Sequence, residues 1–206
     1  MTAGLVRARA SGWGEREMAW LIVFAVVLLL VVVSVYVGLV TGATSIDIGI
    51  GRRIRPLGPQ VVDISASREL VFGIVAAPYL RRQPRAVADK VRVLERGSDM
   101  VLAAHRTPVR GPLTATTVET VRFTHSERVD FRLVRGPVPH VVEEFVLTGD
   151  EHSTRLEYRG ELGTDLWWLG AWWGRLVARA WERTVASSLE AVKTEAERRH
   201  GVRHAE

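Results

Sequence analysis

The stretch VDFRLVRGPVPHVVEEFVLTGDEHSTRLEYRGEL, residues 129–162, decides the fold. It contains three runs in which apolar and polar residues alternate, separated by the turn signals Gly136-Pro137 and Gly149-Asp150. Alternation with a period of two is typical of strands that bury one face, and Gly, Pro and Asp favour turns. The stretch therefore predicts three consecutive strands of an antiparallel sheet.

The same pattern extends towards the N-terminus. It predicts strands at residues 60–65, 87–95, 99–106, 114–124, 128–134, 140–147 and 154–162. A short helix is predicted after the first strand, because Ser67 followed by Glu69 is typical of a helix N-cap and Pro78 would end the helix.

A long amphipathic helix is predicted to follow the last strand, from Asp165 as N-cap to about residue 199. Its apolar residues recur at helical spacing: Trp173, Val177, Trp181, Val185, Leu189 and Val192. In the last strand Leu156, Tyr158 and Leu162 alternate with charged residues, so one face of the sheet needs a cover. We expect this helix to provide it.

An uncharged segment, MAWLIVFAVVLLLVVVSVYVGLV at residues 18–40, predicts one transmembrane helix. At about 1.5 Å per residue it covers the ~30 Å hydrocarbon core, and Trp20 and Tyr36 lie near its ends, where aromatic rings prefer the headgroup level. The alternative is a cleaved signal peptide ending at Thr41-Gly42-Ala43. Signal peptides have apolar runs of about 7 to 15 residues, so the length favours an uncleaved anchor.

The predicted organisation is a tail (1–17), a transmembrane helix (18–40), a linker (41–58), one domain (59–200) and a second tail (201–206). Arginines flank the helix on both sides: Arg7, Arg9 and Arg16 before it, and Arg52, Arg53 and Arg55 after it. Because Arg16 almost adjoins the apolar run, the positive-inside rule favours a single-pass cell-membrane protein with its domain outside. The later arginines would also suit an anionic cytoplasmic leaflet, so the side stays open.

The predicted order of elements resembles the Bet v 1-like helix-grip fold of the START superfamily. It is most similar to the bacterial polyketide cyclase/dehydrase and lipid-transport (SRPBCC) group. The resemblance rests on VVDISASRELVFGIVAAPYL at residues 61–80, on residues 129–162 and on the terminal helix, and covers about residues 59–200. It implies an α+β fold in which a seven-stranded antiparallel sheet surrounds the long helix and leaves a cavity for a lipid, sterol, polyketide or other small hydrophobic ligand.

The candidate ligand-binding residues are Phe131, Glu143, Phe145, Tyr158, Trp173 and Val177. If Val141, Phe145 and Leu147 point inward, the period of two sends Glu143 inward with them. A carboxylate among apolar groups is costly unless it is paired or protonated. Tyr158 is one candidate partner for it, and an arginine at the rim is the alternative.

Other chemistry is not indicated by the sequence. There is no phosphate-binding loop, HExxH or GxSxG motif and no cysteine. His200 and His204 are four apart, but Gly201 and the charged tail argue against a metal site, and no cofactor is predicted. The net charge of +5 comes from arginines that alternate with acids, so no nucleic-acid partner is expected.

The cluster Trp167, Trp168, Trp172 and Trp173 covers too broad an arc for every member to face the sheet. Some members are expected to fill the cavity and others to rest in the bilayer interface; the alternative is packing against the first helices. The favoured function is a membrane-anchored binding or transfer module for a hydrophobic ligand. The alternatives are a cyclase- or dehydratase-like enzyme using Glu143, Tyr158 or His105, and a ligand-free interaction domain; the oligomeric state is left open.

Overall fold

The computed structural model describes residues 12–80, 90–110 and 113–203 and divides into two compact units, Met1–Val37 and Gly38–Glu206. Some predictions made from the sequence concern residues outside these ranges. Arg7, Arg9, the start of the predicted second strand at Val87, and His204 lie outside the described residues.

The first unit consists of most of helix α1, which spans Gly12–Val40. Within it, Arg16–Val40 has the length and composition of a membrane span. Its large apolar side chains, from Met18 to Tyr36, are exposed. These 25 residues extend over about 38 Å at about 1.5 Å per residue, more than the ~30 Å hydrocarbon core, so the described residues contain one helix long and apolar enough to cross a membrane.

The second unit is a seven-stranded antiparallel sheet with the order β1-β7-β6-β5-β4-β3-β2. Its strands are β1 (Arg53–Ile64), β2 (Val91–Arg96), β3 (Met100–Arg110), β4 (Leu113–Thr124), β5 (Arg128–Arg135), β6 (His140–Gly149) and β7 (Thr154–Thr164). Its helices are α2 (Arg68–Ala76), which continues into a 3₁₀ turn (Ala77–Tyr79), and the long α3 (Trp167–Arg203). The predicted helix-grip fold is confirmed.

Helix α3 packs on β1, β7 and α2. Val177, Val185 and Leu189 are its buried residues at the predicted spacing, and they face a sheet in which Leu156 and Leu162 are fully buried. The short helix α2 starts as predicted, because the Ser67 hydroxyl accepts a hydrogen bond from the N–H of Leu70. The apolar residues that recur with the helical period in α3 and with the period of two in the strands therefore pack into one core.

The segment predicted as a linker, residues 41–58, is largely part of the domain. Strand β1 already begins at Arg53, and the carbonyl of Ile50 accepts a hydrogen bond from the N–H of Leu166 at 2.8 Å. Two of the Gly and Pro residues that suggested a linker, Gly58 and Pro59, fall where the β1–β7 register shifts, between Leu57 and Gln60. Gly and Pro mark such irregular positions in strands as well as loops.

Asp165 does not cap α3 as predicted. The helix begins at Trp167, and the Asp165 carboxylate accepts hydrogen bonds from the N–H groups of Ile48 and Gly49, each at 2.7 Å. Its other oxygen lies 2.7 Å from Nε of Arg52. The Arg52 guanidinium, together with the two N–H donors, holds the pKa of Asp165 below its usual range despite burial.

Substitution of Gly170 tests how closely the first turn of α3 packs on Asp165. A Cβ at Gly170 would lie 1.6 Å from the Asp165 carbonyl oxygen, whereas a Cβ at Gly73 in α2 would meet nothing within 4 Å. We expect Gly170→Ala to lower the free energy of unfolding by about 1–3 kcal/mol through overpacking. We expect Gly73→Ala to raise it by about 0.5–1 kcal/mol, because alanine loses less backbone entropy. Urea unfolding of the detergent-solubilised chain measures the change in unfolding free energy for both variants. An unchanged unfolding free energy in Gly170→Ala would contradict the close packing of Gly170 on Asp165.

Candidate functional site

Four of the predicted site residues are neighbours on the helix-facing side of the sheet. Phe131 pairs with Glu143 across β5 and β6, and Phe145 pairs with Tyr158 across β6 and β7. Directly opposed residues of antiparallel strands point to the same face. Phe131 and Tyr158 are buried, and Glu143 is 7% exposed, so the inward direction predicted for this carboxylate is correct.

Glu143 is held by two neutral donors. Its Oε2 accepts hydrogen bonds from the Tyr158 hydroxyl at 2.8 Å and from Nε1 of Trp181 at 2.7 Å. Gly160 lies opposite Glu143 on β7, where a Cβ would come within 2.7 Å of the glutamate Cβ. The glycine therefore leaves room for this side chain, which joins the sheet to α3.

The arginine partner proposed as the alternative for Glu143 belongs to its neighbour. Glu144 points to the other face of β6, where it forms an ion pair with Arg159 and a longer one with Arg128. Glu143 is instead satisfied by a phenol and an indole. The two consecutive glutamates therefore have different environments.

A second polar cluster lies in the same interior. Nδ1 of His105 on β3 lies 3.1 Å from a carboxylate oxygen of Glu119 on β4, and both side chains are largely buried. The Tyr79 hydroxyl lies 2.9 Å from Nε2 of His105, which joins the turn after α2 to the sheet. Two acids, an imidazole and two phenols thus share one interior.

The two clusters influence each other electrostatically. Burial, together with the charge of Glu119, raises the pKa of Glu143 to about 7, although the hydrogen bonds from Tyr158 and Trp181 and the charge of His105 oppose the shift. Burial disfavours protonated His105, but its contact with Glu119 and the charges of both acids raise its pKa overall. Glu143 therefore exchanges a proton near neutral pH, as acid–base groups in buried sites do.

An aromatic surface adjoins this network. The Phe145 ring centre is 5.6 Å from that of Phe131 and 5.2 Å from that of Tyr158. Several apolar side chains that pack on the core remain partly exposed: Phe123, Leu133, Phe145, Trp173 and Trp181. Apolar surface of the interior is thus accessible at this position.

Two surface depressions lie elsewhere on the domain. One is bordered by Arg179, Glu182, Arg183 and Ala186 of α3, and another by residues of β1, β6 and β7 around Ile64 and Thr154. Neither contains a predicted site residue. The apolar surface beside Glu143 is a partly exposed face of aromatic and aliphatic side chains.

The helix contributes to the site through three successive turns. Nε1 of Trp173 donates to the carbonyl of Pro137 at 2.8 Å, Val177 is buried one turn later, and Trp181 reaches Glu143 after a further turn. Trp173 and Val177 were predicted from the sequence as ligand-binding residues, whereas Trp181 was predicted only as part of the buried stripe of the helix.

Glu119 and Tyr79 were also missed as site residues. Glu119 precedes the buried Val121 by two positions, so the period of two already contained the signal for its inward direction. Tyr79 gave no local signal, because its contact with His105 exists only in the folded chain.

Solved structures share this fold. The Zhui aromatase/cyclase from Streptomyces sp. R1128 matches with a TM-score of 0.58 and 21% identity, over 72% of this chain and 95% of its own. The protein TTHA0849 from Thermus thermophilus matches with a TM-score of 0.54 and 15% identity, over 70% of this chain and 97% of its own. The di-domain ARO/CYC StfQ from the steffimycin biosynthetic pathway matches with a TM-score of 0.52 and 17% identity, over 73% of this chain and 52% of its own.

These similarities define the second unit as a helix-grip domain. At such low identity they establish the fold and not the activity. No protein-family model and no curated protein matches the sequence.

The raised pKa of Glu143 predicts a pH-dependent stability. Its folded-state pKa of about 7 exceeds the unfolded value of about 4.3, so the stability due to the protonated form is present at low pH and is lost as the pH rises through this window. We expect a fall of about 3 kcal/mol in the free energy of unfolding. The raised pKa of His105 adds a loss in the same direction as the pH rises above about 6.5.

Unfolding by urea between pH 5 and pH 8 measures this dependence. Glu143→Gln should reduce it to the part due to His105, because the amide oxygen still accepts both hydrogen bonds and carries no charge. Glu144→Gln, on the opposite face, is the matched control and should retain the wild-type slope. Equal slopes in wild type and Glu143→Gln would show that Glu143 is not the titrating group.

Proposed function

We propose that the chain is a membrane-anchored module that binds or transfers a lipid or other small hydrophobic ligand. The ligand rests on the aromatic surface between the sheet and α3, with Phe145 and Trp173 in contact with it and Phe131 and Val177 beneath them. Glu143 provides the polar contact, and Tyr158 orients that carboxyl.

One observation carries this proposal: a carboxyl with a pKa near neutrality lies beside apolar side chains that the domain leaves partly exposed. A small-molecule site of this kind combines an apolar lining with a few polar groups that set orientation. Burying apolar ligand surface contributes about 25 cal/mol per Å². A carboxyl that is protonated near neutral pH can donate to a ligand oxygen, and an ionised one accepts from a ligand hydroxyl.

Anchoring is the second part of the proposal. It is supported by the length and composition of α1. The position of Arg16 beside the apolar run favours the N-terminus on the cytoplasmic side and the domain outside. Such a tether would keep the domain close to a membrane that contains hydrophobic ligands.

A second candidate function is catalysis on the bound ligand. The observation that favours it is the pairing of Glu143, whose pKa is near neutrality, with a nearby imidazole and two phenols. General acid–base catalysis is most effective when the pKa of the group lies near the working pH. Zhui and StfQ, which share the fold, are described as aromatase/cyclase and ARO/CYC proteins. A cyclase- or dehydratase-like reaction would use Glu143, with His105 or Tyr158 in support.

Mass spectrometry of organic extracts from the purified full chain tests ligand binding. Leu133 faces the interior and is partly exposed, so Leu133→Trp should fill the ligand surface. Val134 is 60% exposed and follows it on the opposite face, so Val134→Trp is the matched control. Wild type, Leu133→Trp and Val134→Trp all contain α1, so lipids bound to that helix are expected in all three extracts and cancel in the comparison. We expect a compound that is present in wild type and Val134→Trp and depleted in Leu133→Trp.

Identical extracts from the three proteins would contradict ligand binding and favour the ligand-free interaction domain. The same extracts also separate the two candidate functions. A binding module retains the same compound in Glu143→Gln, at equal or lower occupancy. An enzyme accumulates its unconverted substrate there, which differs in mass from the compound held by wild type.

A further inference from the structure

An exposed apolar surface of the second unit lies where the chain turns from β7 into α3. It is formed by the segment before β1 and by the first turns of α3. Its members, defined here as the corner patch, are 36% to 75% exposed: Ile46, Ile48, Ile50, Ile54, Trp167, Trp168, Leu169, Trp172 and Leu176. Contiguous patches of this kind mark protein or membrane interfaces.

The two halves of the corner patch are fixed to each other. The Asp165 carboxylate binds the N–H groups of Ile48 and Gly49, and the N–H of Trp167 donates to the carbonyl of Gly51 at 3.0 Å. Gly51 has a φ of +64°, in the left-handed region, and a Cβ there would lie 2.4 Å from the Trp167 ring. The indole therefore lies directly on glycine backbone, and the exposed isoleucines are held beside it.

We propose that the corner patch lies in the headgroup region of the bilayer that α1 crosses. Val40 and Ile46 are separated only by TGATS, which at about 3.5 Å per residue limits their separation to about 20 Å. The patch is thus tied to the end of the proposed span. Tryptophan is the residue most typical of membrane–water interfaces, and Trp168 is the most exposed member.

Charge at the edge of the patch suits a lipid surface. Near the patch in the chain, Arg53 and Arg175 are exposed, and the exposed Asp47 between Ile46 and Ile48 forms an ion pair with Arg52. In a bilayer, anionic headgroups lie next to apolar acyl chains, so cations beside apolar side chains are complementary to it. The attraction to an anionic surface contributes about 1 kcal/mol of binding free energy per arginine. A second protein would also cover apolar surface, but the tether to a membrane span favours lipid.

This inference rests on the proposed anchoring and adds to it. Docking would place the first turns of α3, and with them Trp173 beside the aromatic surface, at the level of the headgroups. A hydrophobic ligand would then pass between bilayer and domain over a short distance.

Site-directed spin labelling of the full chain tests the docking, because the sequence has no native cysteine. Single variants Ile48→Cys and Leu169→Cys report on the patch, and Ser187→Cys, exposed further along α3, is the matched control. Val27→Cys reports on α1. The chain is reconstituted in vesicles of phosphatidylcholine with a minor share of phosphatidylglycerol. Collisions with oxygen, which is soluble in lipid, are compared with those of a water-soluble nickel chelate.

We expect a higher oxygen-to-nickel collision ratio at both patch labels and at Val27 than at Ser187. If Val27 is in lipid but the patch labels match Ser187, docking is wrong and anchoring stands. If Val27 is also in water, both are wrong. Patch labels that are shielded from both reagents, with spectra that sharpen on dilution with unlabelled chain, would show that a second copy covers the patch instead.

A double variant checks the tryptophans separately. Trp168→Ser with Trp172→Ser in the Ile48→Cys chain should shift the collision ratio at Ile48 towards that of Ser187. The ratio of the Ser187 label in the same double variant should not change, which controls for loss of the fold. An unchanged ratio at Ile48 would contradict a role for the exposed indoles in docking.

Discussion

The buried carboxylate of Glu143 is the constraint on which the interior depends. An ionisable group with 7% exposure needs partners, and it finds them in Tyr158 of the neighbouring strand and Trp181 of the long helix. These hydrogen bonds fix the helix above the sheet at one rotation and one height. Because the partners are neutral, they leave burial and the charge of Glu119 to raise the pKa of Glu143. The same hydrogen-bonded group therefore connects the helix to the sheet and has a pKa suited to proton transfer near neutral pH.

The interior and the corner patch lie on different sides of the first half of α3. Trp173 and Trp181 turn towards the sheet, whereas Trp168 and Trp172 remain exposed on the other side of the first turns. The separation follows from the helical period, which brings residues four apart to one face. Asp165, just before the helix, ties this region to the segment before β1 through the N–H groups of Ile48 and Gly49. The tryptophan cluster is thus divided between the core and the surface, as the broad arc that it covers on the helix predicted.

Local periodicity explains what was predictable from the sequence. The strands, the inward direction of Glu143 and the buried stripe of α3 follow from periods of two and 3.6 residues, which need no knowledge of distant contacts. The role of Asp165 was not predictable in this way, because its partners Ile48 and Gly49 are more than 100 residues away in the chain. The partnership of Trp181 with Glu143 likewise depends on how the helix is placed on the sheet. Interior packing thus defined the site more than any local motif did.

The most direct measurement is the titration of the Glu143 carboxyl carbon by NMR in the ¹³C-labelled full chain, held in lipid nanodiscs. The resonance is assigned by its loss in Glu143→Gln. The described geometry predicts a midpoint near pH 7 for this carboxyl, because the group is buried between neutral donors and faces a second acid. A midpoint at the ordinary value of about 4.3 would contradict the account, since it would mean that the carboxyl is solvated and does not join helix to sheet.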